Sequence, residues 1–193
     1  MEILENKDLR KVVREYVDAN DQDLDLLFSL AEERSLRKNE MLINQGDEPS
    51  YFVFIAEGCL MTYLTDEKKQ PHVLMFGFSG WWTGDIKGIT QDLPSEYSIK
   101  ALSESRVYLF SKEKFELLCK EAPIFERYFR KIFQNSLVTH QKRIMRQISA
   151  DAEEKYRAFR ARFPKLELLV AQKYIASYLG VTPEFFSVLK KRI

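Results

Sequence analysis

The sequence predicts an α+β protein: an N-terminal antiparallel β-roll (jelly roll) with flanking helices, one long helix, and a C-terminal all-α helix-turn-helix unit. Three observations carry that expectation. Between about residues 36 and 110 the apolar spacing changes from helical to alternating, the mark of short strands. The helical spacing then returns as one broad apolar stripe to about Ser149. In the last twenty-odd residues a glycine and a capped start separate two short apolar periodic segments. The expected units are residues 1–120, 121–149 and 150–193.

Residues 1–35 read as helical. Leu9, Val12, Val13, Tyr16 and Val17 share one side, and Leu24, Leu27, Phe28, Leu30 and Ala31 follow the acidic start Asn20-Asp21. The strand region holds the apolar runs MLI, YFVFIA, CLMTYL, VLMFGF, YSIKAL and RVYLF. NQGDEPS, EG, TDEKKQ and TQDLPS punctuate them, a pattern that suits an antiparallel roll or sandwich. Ser111 is placed to cap a helix over SKEKFELLCK, and Pro123 suits the first turn of the next. That long helix carries Phe125, Phe129, Ile132, Phe133, Ser136, Leu137, His140, Ile144 and Ile148. A stripe so wide is expected to pack on two surfaces, the roll and a second copy of the chain. Asp151 and Glu154 form a capping pair for a further helix, which Phe163-Pro164 stops.

Composition narrows the functional classes. No run approaches about 18 uninterrupted apolar residues, so no membrane span is expected. The opening MEILENKDLR lacks the apolar core of a secretory signal, which predicts a cytoplasmic protein. Cys59 and Cys119 are too few for a disulfide framework, and His72 and His140 too few for a metal cluster or a hydrolytic triad. Only His72 lies in the strand region, which argues against a cupin-like enzyme; the chain reads as a non-enzyme. The net charge of +1 hides an asymmetry. Residues 1–126 hold 15 Lys and Arg against 24 Asp and Glu, whereas residues 127–193 hold 15 against 5. A basic rear unit faces either a polyanion or solvent alone.

The sharpest local signal is QKYIASYLGVTPEFFSVLKK from Gln172. Ile175, Leu179, Val181, Phe186 and Leu189 fall where two short helices touch, and Ala176 is small where they cross. Gly180 stands where the turn needs positive φ, Thr182 can cap the second helix, Pro183 fits its first position, and Glu184 favours its positive end. These are the requirements of a helix-turn-helix, which a plain helical hairpin satisfies only in part. As a DNA-binding unit it places Gln172, Lys173, Lys190, Lys191 and Arg192 at phosphates. Thr182, Pro183, Glu184, Phe185, Ser187 and Val188 lie at the start of the recognition helix, near base edges.

With these residues in view, the chain resembles the catabolite-activator/FNR superfamily of transcription regulators over nearly its whole length. KNEMLINQGDEPSYFVFIAEGCLMTYL is similar to that family's early strands, with Gly46 and Gly58 at its two glycine turns. WWTGDIKGITQDLPSEYSIKALSESRVYLFSKEKFELL is similar to its phosphate-binding cassette. APIFERYFRKIFQNSLVTHQKRI resembles its dimerisation helix and AQKYIASYLGVTPEFFSVLKKRI its DNA-binding unit, in wording like the short Bacteroidetes-type branch. The resemblance implies a cyclic-nucleotide-binding-like sensor, a homodimer, DNA as partner, RNA polymerase as a further one, and an effector held around Gly84, Asp85, Ile86, Pro94, Ser95 and Tyr97.

The chain departs from the family at both sites. Members that bind cyclic AMP present Gly-Glu and Pro-Arg pairs, the Glu taking the ribose and the Arg the cyclic phosphate. Here the pairs are Gly84-Asp85 and Pro94-Ser95, so the Arg is missing, with Arg106 or Lys100 as the only substitutes in reach. Losing a charged bidentate partner costs a few kcal/mol, so a cyclic nucleotide is not the expected effector. Trp81, Trp82 and Tyr97 are expected in a core or interface role. In the head, Pro183 and Val188 stand where the family commonly carries arginines that grip guanine, and no β-wing is expected beyond Ile193. The alternative is a ligand-binding or protein-interaction module with a degenerate pocket and no specific DNA binding.

Overall fold

The computed structural model describes residues 6–48, 51–164 and 166–192; the expected helical stretch at residues 1–5 lies outside them. Helix α1 (Leu9–Tyr16) starts at Asp8, whose carboxylate accepts from the Arg10 amide at 2.9 Å. Helix α2 (Asp21–Leu30) begins with a reciprocal capping box between Asn20 and Asp23.

The chain then turns extended at once. Strand β1 (Glu32–Leu36) replaces the last residues of the expected helical segment. EERSL gives no strand signal because four of its five residues are exposed and nothing alternates. It is a strand through pairing with β8 (Ser105–Phe110), from Glu32 opposite Leu109 to Leu36 opposite Ser105. A charged edge strand of this kind also discourages pairing with other chains.

The remaining strands are β2 (Met41–Ile43), β3 (Phe52–Glu57), β4 (Cys59–Thr65), β5 (Pro71–Phe78), β6 (Trp82–Thr83) and β7 (Ser98–Ala101). The two-residue β6 and the short helix α3 (Ile86–Gln91) were not foreseen, being too brief to show a period. Two four-stranded antiparallel sheets result, in the orders β1-β8-β3-β6 and β2-β7-β4-β5.

Alternation along the strands distributes side chains among three cores. Val53 and Ile55 of β3, Leu60 of β4, Ile99 and Ala101 of β7, and Val107 and Leu109 of β8 fill the space between the sheets. Phe52, Phe54 and Ala56 point from β3 to the opposite face, where α1, α2, α4 (Lys112–Glu121) and the start of α5 (Ile124–Ser149) cover them. Cys59 and Met61 of β4, with Val73, Phe76 and Phe78 of β5, face outward from the second sheet into the C-terminal helices. The central strands β3 and β4 are thus buried on both faces, which explains why they read as continuous apolar runs.

Ser111 caps α4 as expected, accepting from the Lys114 amide at 3.4 Å. Helix α5 runs for 26 residues and follows Pro123 directly. Its stripe divides: Phe125, Tyr128 and Phe129 are buried against the roll, while Phe133, Leu137, Ile144 and Ile148 are exposed. Trp82 locks the joint, its indole Nε1 donating to the Tyr128 hydroxyl at 2.9 Å beside Phe54, Phe110 and Phe129. Helix α6 (Ala152–Arg162) opens on the expected Asp151–Glu154 capping box and ends at Phe163. A 3-10 turn (Leu166–Leu168) leads to α7 (Gln172–Leu179) and α8 (Pro183–Arg192). Among the described residues no helix is long and apolar enough to cross a membrane.

The tight turn between β3 and β4 requires glycine twice over. Gly58 has φ of +98°, and a Cβ there would stand 2.5 Å from the Glu104 carbonyl oxygen and 2.8 Å from the Ser105 Cα. Gly46, at φ +94°, has open space around it. Gly58→Ala is expected to lower unfolding free energy in urea by about 3 kcal/mol, and Gly46→Ala by about 1 kcal/mol, since only the first adds a backbone clash to the strain.

Candidate functional site

The two C-terminal helices meet as their sequence predicts. Gly180 takes the left-handed conformation at φ +73°, and the Val181 amide bonds back to the Ala176 carbonyl at 3.0 Å. Thr182 caps α8, its hydroxyl accepting from the Phe185 amide at 3.2 Å, and Pro183 is the first helical residue. Ile175, Ala176, Leu179, Phe186 and Leu189 are buried between the helices, and Tyr156 packs edge-on to Phe186.

The packing leaves one face of α8 free. Thr182, Pro183, Glu184, Phe185, Ser187, Val188, Lys191 and Arg192 are exposed, as are Gln172 and Lys173 on α7. Lys190 is different: it is half-buried and pairs with Glu167 at 3.0 Å. Glu167 also accepts from the Tyr156 hydroxyl at 2.8 Å and lies 3.8 Å from Arg160. Burial, with this carboxylate beside it, pushes the Tyr156 hydroxyl up to about 12. Glu167 thereby ties α6, the 3-10 turn and the end of α8 together, a role that its lone place in the sequence did not reveal.

The head is also held by the roll. β5 is the outer strand of the second sheet, so its free backbone groups need partners. Ser177 of α7 supplies two: its hydroxyl donates to the Pro71 carbonyl at 2.8 Å and accepts from the Val73 amide at 2.9 Å. Arg143 of α5 supplies two more, donating to the carbonyls of Leu74 and Val73 while its guanidinium stacks 4.4 Å over the Tyr178 ring. Phe76 and Phe78 pack against Phe159, Phe163 and Tyr178, and Arg162 lies over Trp81. Trp81 and Trp82 therefore serve opposite joints, one to the head and one to α5.

In the cassette, Gly84 has φ of +146° where a Cβ would strike the Tyr51 carbonyl oxygen at 2.6 Å. Asp85 is fully buried and both its carboxylate oxygens are committed. One accepts from the Gly88 amide at 3.0 Å and so caps α3; the other accepts from the Glu96 amide at 2.7 Å and the Ser95 hydroxyl at 3.3 Å. Ser95 is buried and donates to the Tyr97 carbonyl as well, at 2.9 Å. Ile86 and Pro94 are exposed and Tyr97 half-buried. Neither of the two expected substitutes for the missing Arg points here. Arg106 is held by Glu33 and Asn6 on the outside of the first sheet, and Lys100 sits opposite the interior-facing Ile99 and Ala101. The nearest cation, Lys87, pairs with Glu96.

Comparison with known proteins fits this architecture. Residues 33–122 match the model of the cyclic nucleotide-binding domain. Over 185 residues the chain is 25% identical to the fumarate and nitrate reduction regulatory protein of Vibrio cholerae serotype O1, spanning 90% of this chain and 73% of that protein. These matches support a transcription regulator of the CRP/FNR kind, to which the chain is similar. The fold aligns with that of CooA from Carboxydothermus hydrogenoformans at a TM-score of 0.72 and 18% identity, covering 98% of this chain and 85% of that one. It aligns equally with a CRP/FNR-family transcriptional regulator from Eubacterium rectale, at a TM-score of 0.73 and 15% identity over 91% and 83% of the two chains.

The clasp on β5 is the feature that the sequence concealed, since Ser177 and Pro71 lie 106 residues apart. Ser177→Ala leaves the Val73 amide and the Pro71 carbonyl without partners. It is expected to cost about 1–2 kcal/mol in urea unfolding and to speed proteolysis between α6 and α7, where the clasp holds the chain.

Proposed function

We propose that this chain is a dimeric regulator that reads duplex DNA with α8 and senses a small-molecule effector through the roll. The observation that carries the reading is the state of α8. It is capped at Thr182, fixed by Phe186 and Leu189 underneath, and open to solvent from Thr182 to Val188. A helix held by one face and free at its N-terminal end is the form that enters a major groove. Lys173, Lys191 and Arg192 are free to meet phosphates, whereas Lys190 is already paired with Glu167 and contributes less. Glu184 and Ser187 can bond to base edges, and Phe185 and Val188, each 49% exposed, suit thymine methyls. The operator is therefore expected to be rich in thymine at the central contacts.

Dimerisation is supported by α5. Leu137, Ile144 and Ile148 are 60%, 58% and 80% exposed and lie on one side of a helix about 39 Å long, with Phe133 leading into the same stripe. Pairing two copies along this stripe buries it and presents two α8 helices to successive major grooves, about 34 Å apart. In this reading the sensor spans residues 1–120, the pairing helix 121–149 and the head 150–193, and the protein acts in the cytoplasm.

The cassette supports an effector other than a cyclic nucleotide. Asp85 and Ser95 already satisfy one another and the surrounding backbone, and among the described residues the neighbouring Lys87 is spent on Glu96. Titration calorimetry with cyclic AMP up to about 1 mM is expected to give no saturable heat; micromolar binding would refute this account of the pocket.

DNA binding is tested by fluorescence anisotropy on selected duplexes across a salt series. Affinity should fall as salt rises, and Lys191→Ala with Arg192→Ala should reduce the slope of log K against log salt by about 2, one for each lost phosphate contact. Salt-insensitive or absent binding would instead favour an interaction module that has lost its duplex.

A further inference from the structure

Helices α5, α6 and α7 enclose a recess of about 30 Å³ at the joint between roll and head. Arg143, Arg146, Lys155, Arg162, Phe159 and Tyr178 line it. Four cations converge on this one place, and among the described residues none of them forms an ion pair with a carboxylate. The arrangement is selective within a single helix. Arg157 and Arg160 of α6 pair with Glu153 and Glu167, while Lys155 and Arg162, seven residues apart and on the same face, turn to the recess unpaired.

Arg143 sharpens the imbalance. Its two terminal nitrogens are spent on the carbonyls of Leu74 and Val73, and its Nε is buried without any partner. Burial first, and the Arg162 charge in addition, draw its ionisation below the usual arginine range against the pull of Tyr178. Like charges gathered in a partly dry cleft repel one another and lack their hydrogen-bond acceptors. A multiply charged anion removes both deficits at once, because phosphoryl oxygens accept the forked bonds of Arg and the point charge of Lys.

We propose that this recess binds a small polyphosphate-bearing anion, gripped by Arg146, Lys155 and Arg162 in front of Arg143. At roughly 10–15 Å³ for each water-sized atom, the recess of about 30 Å³ admits the leading oxygens of one phosphoryl group. The rest of the anion runs into the wider groove between α5 and α6, which shares Arg146 and adds Lys142, with Glu154 and the Glu153-paired Arg157 on its far wall. Bound there, the anion ties α5, which belongs to the roll's joint, to α6 and α7 of the head. It therefore fixes the angle between the two. The backbone of a duplex offers the same phosphate chemistry, but it would lie along the open face of α8, whereas this recess is narrow and walled by aromatic rings.

The site is tested on the full chain, without DNA, by titration calorimetry with inorganic tripolyphosphate at low salt. Saturable binding with one anion per chain is expected. Lys155→Gln with Arg162→Gln should weaken it about tenfold or more, and Lys155→Arg with Arg162→Lys should restore most of it. Lys191→Ala with Arg192→Ala removes the same two charges from α8 and should change the affinity less than about twofold. The proposal is overturned if no saturable heat appears, or if the two charge-removing pairs weaken binding equally. It is also overturned if the Lys155 and Arg162 pair lowers duplex affinity, with no tripolyphosphate present, as strongly as the α8 pair does. Failure of DNA recognition itself would show in the duplex titration of the unaltered chain and would leave the calorimetric result standing.

Discussion

The arrangement of the whole molecule depends on the apolar seam between the outer face of the second sheet and the C-terminal helices. Met61, Phe76 and Phe78 on the sheet share one buried cluster with Phe159, Phe163, Ile175 and Leu179 of the head. Burying an aromatic side chain of this kind contributes about 2–3 kcal/mol, so several together hold the head where single hydrogen bonds would not. The polar contacts then set the register of that docking. Ser177 and Arg143 complete the free edge of β5, and each bond that they make satisfies a backbone group that water would otherwise have to reach.

This seam links the sensor to the reading helix without an independent linker. Strand β4 presents Leu60 to the interior of the roll and Cys59 and Met61 to the head, so neighbouring residues of one strand belong to two cores. In the proposed regulator, a shift of β4 or β5 on ligand binding would reach α7 through Ser177 and α5 through Arg143. Helix α5 is held on the other side by Trp82 and Tyr128. Because packed cores switch between discrete arrangements more readily than they deform, such a change in the roll would, in that reading, become a change of head position.

Charge is distributed to the same end. The acidic front of the chain holds six of its cations in ion pairs among the described residues, as Arg10 with Asp25, Arg14 with Asp21 and Lys112 with Asp92 show. The basic rear has few acids to offer, and Glu167 alone serves Arg160, Lys190 and Tyr156. Among the cations left over are two groups, one on the open face of α8 and one at the joint of α5, α6 and α7. In the readings proposed above, these are the two places that meet phosphate.

Much of this was legible in the residues alone, and the reason is range. The Gly180 turn, the Thr182 cap, the Asp151–Glu154 box and the helix from Pro123 to Ser149 depend on groups within about four residues, so sequence spacing dictates them. The short apolar runs of β3 and β4, bounded by turn residues, likewise announce strands, because their length and punctuation are local properties of the sequence. What the residues could not disclose is set by partners far along the chain. β1 is a strand because β8 pairs with it, Asp85 is spent on the cassette's own backbone because Glu96 and Ser95 fold back onto it, and Ser177 holds the head because Pro71 and Val73 lie at a sheet edge. Local chemistry thus decided the elements and the form of the reading helix, while long-range burial decided where the head docks, which acids and cations are already satisfied, and which remain free to bind.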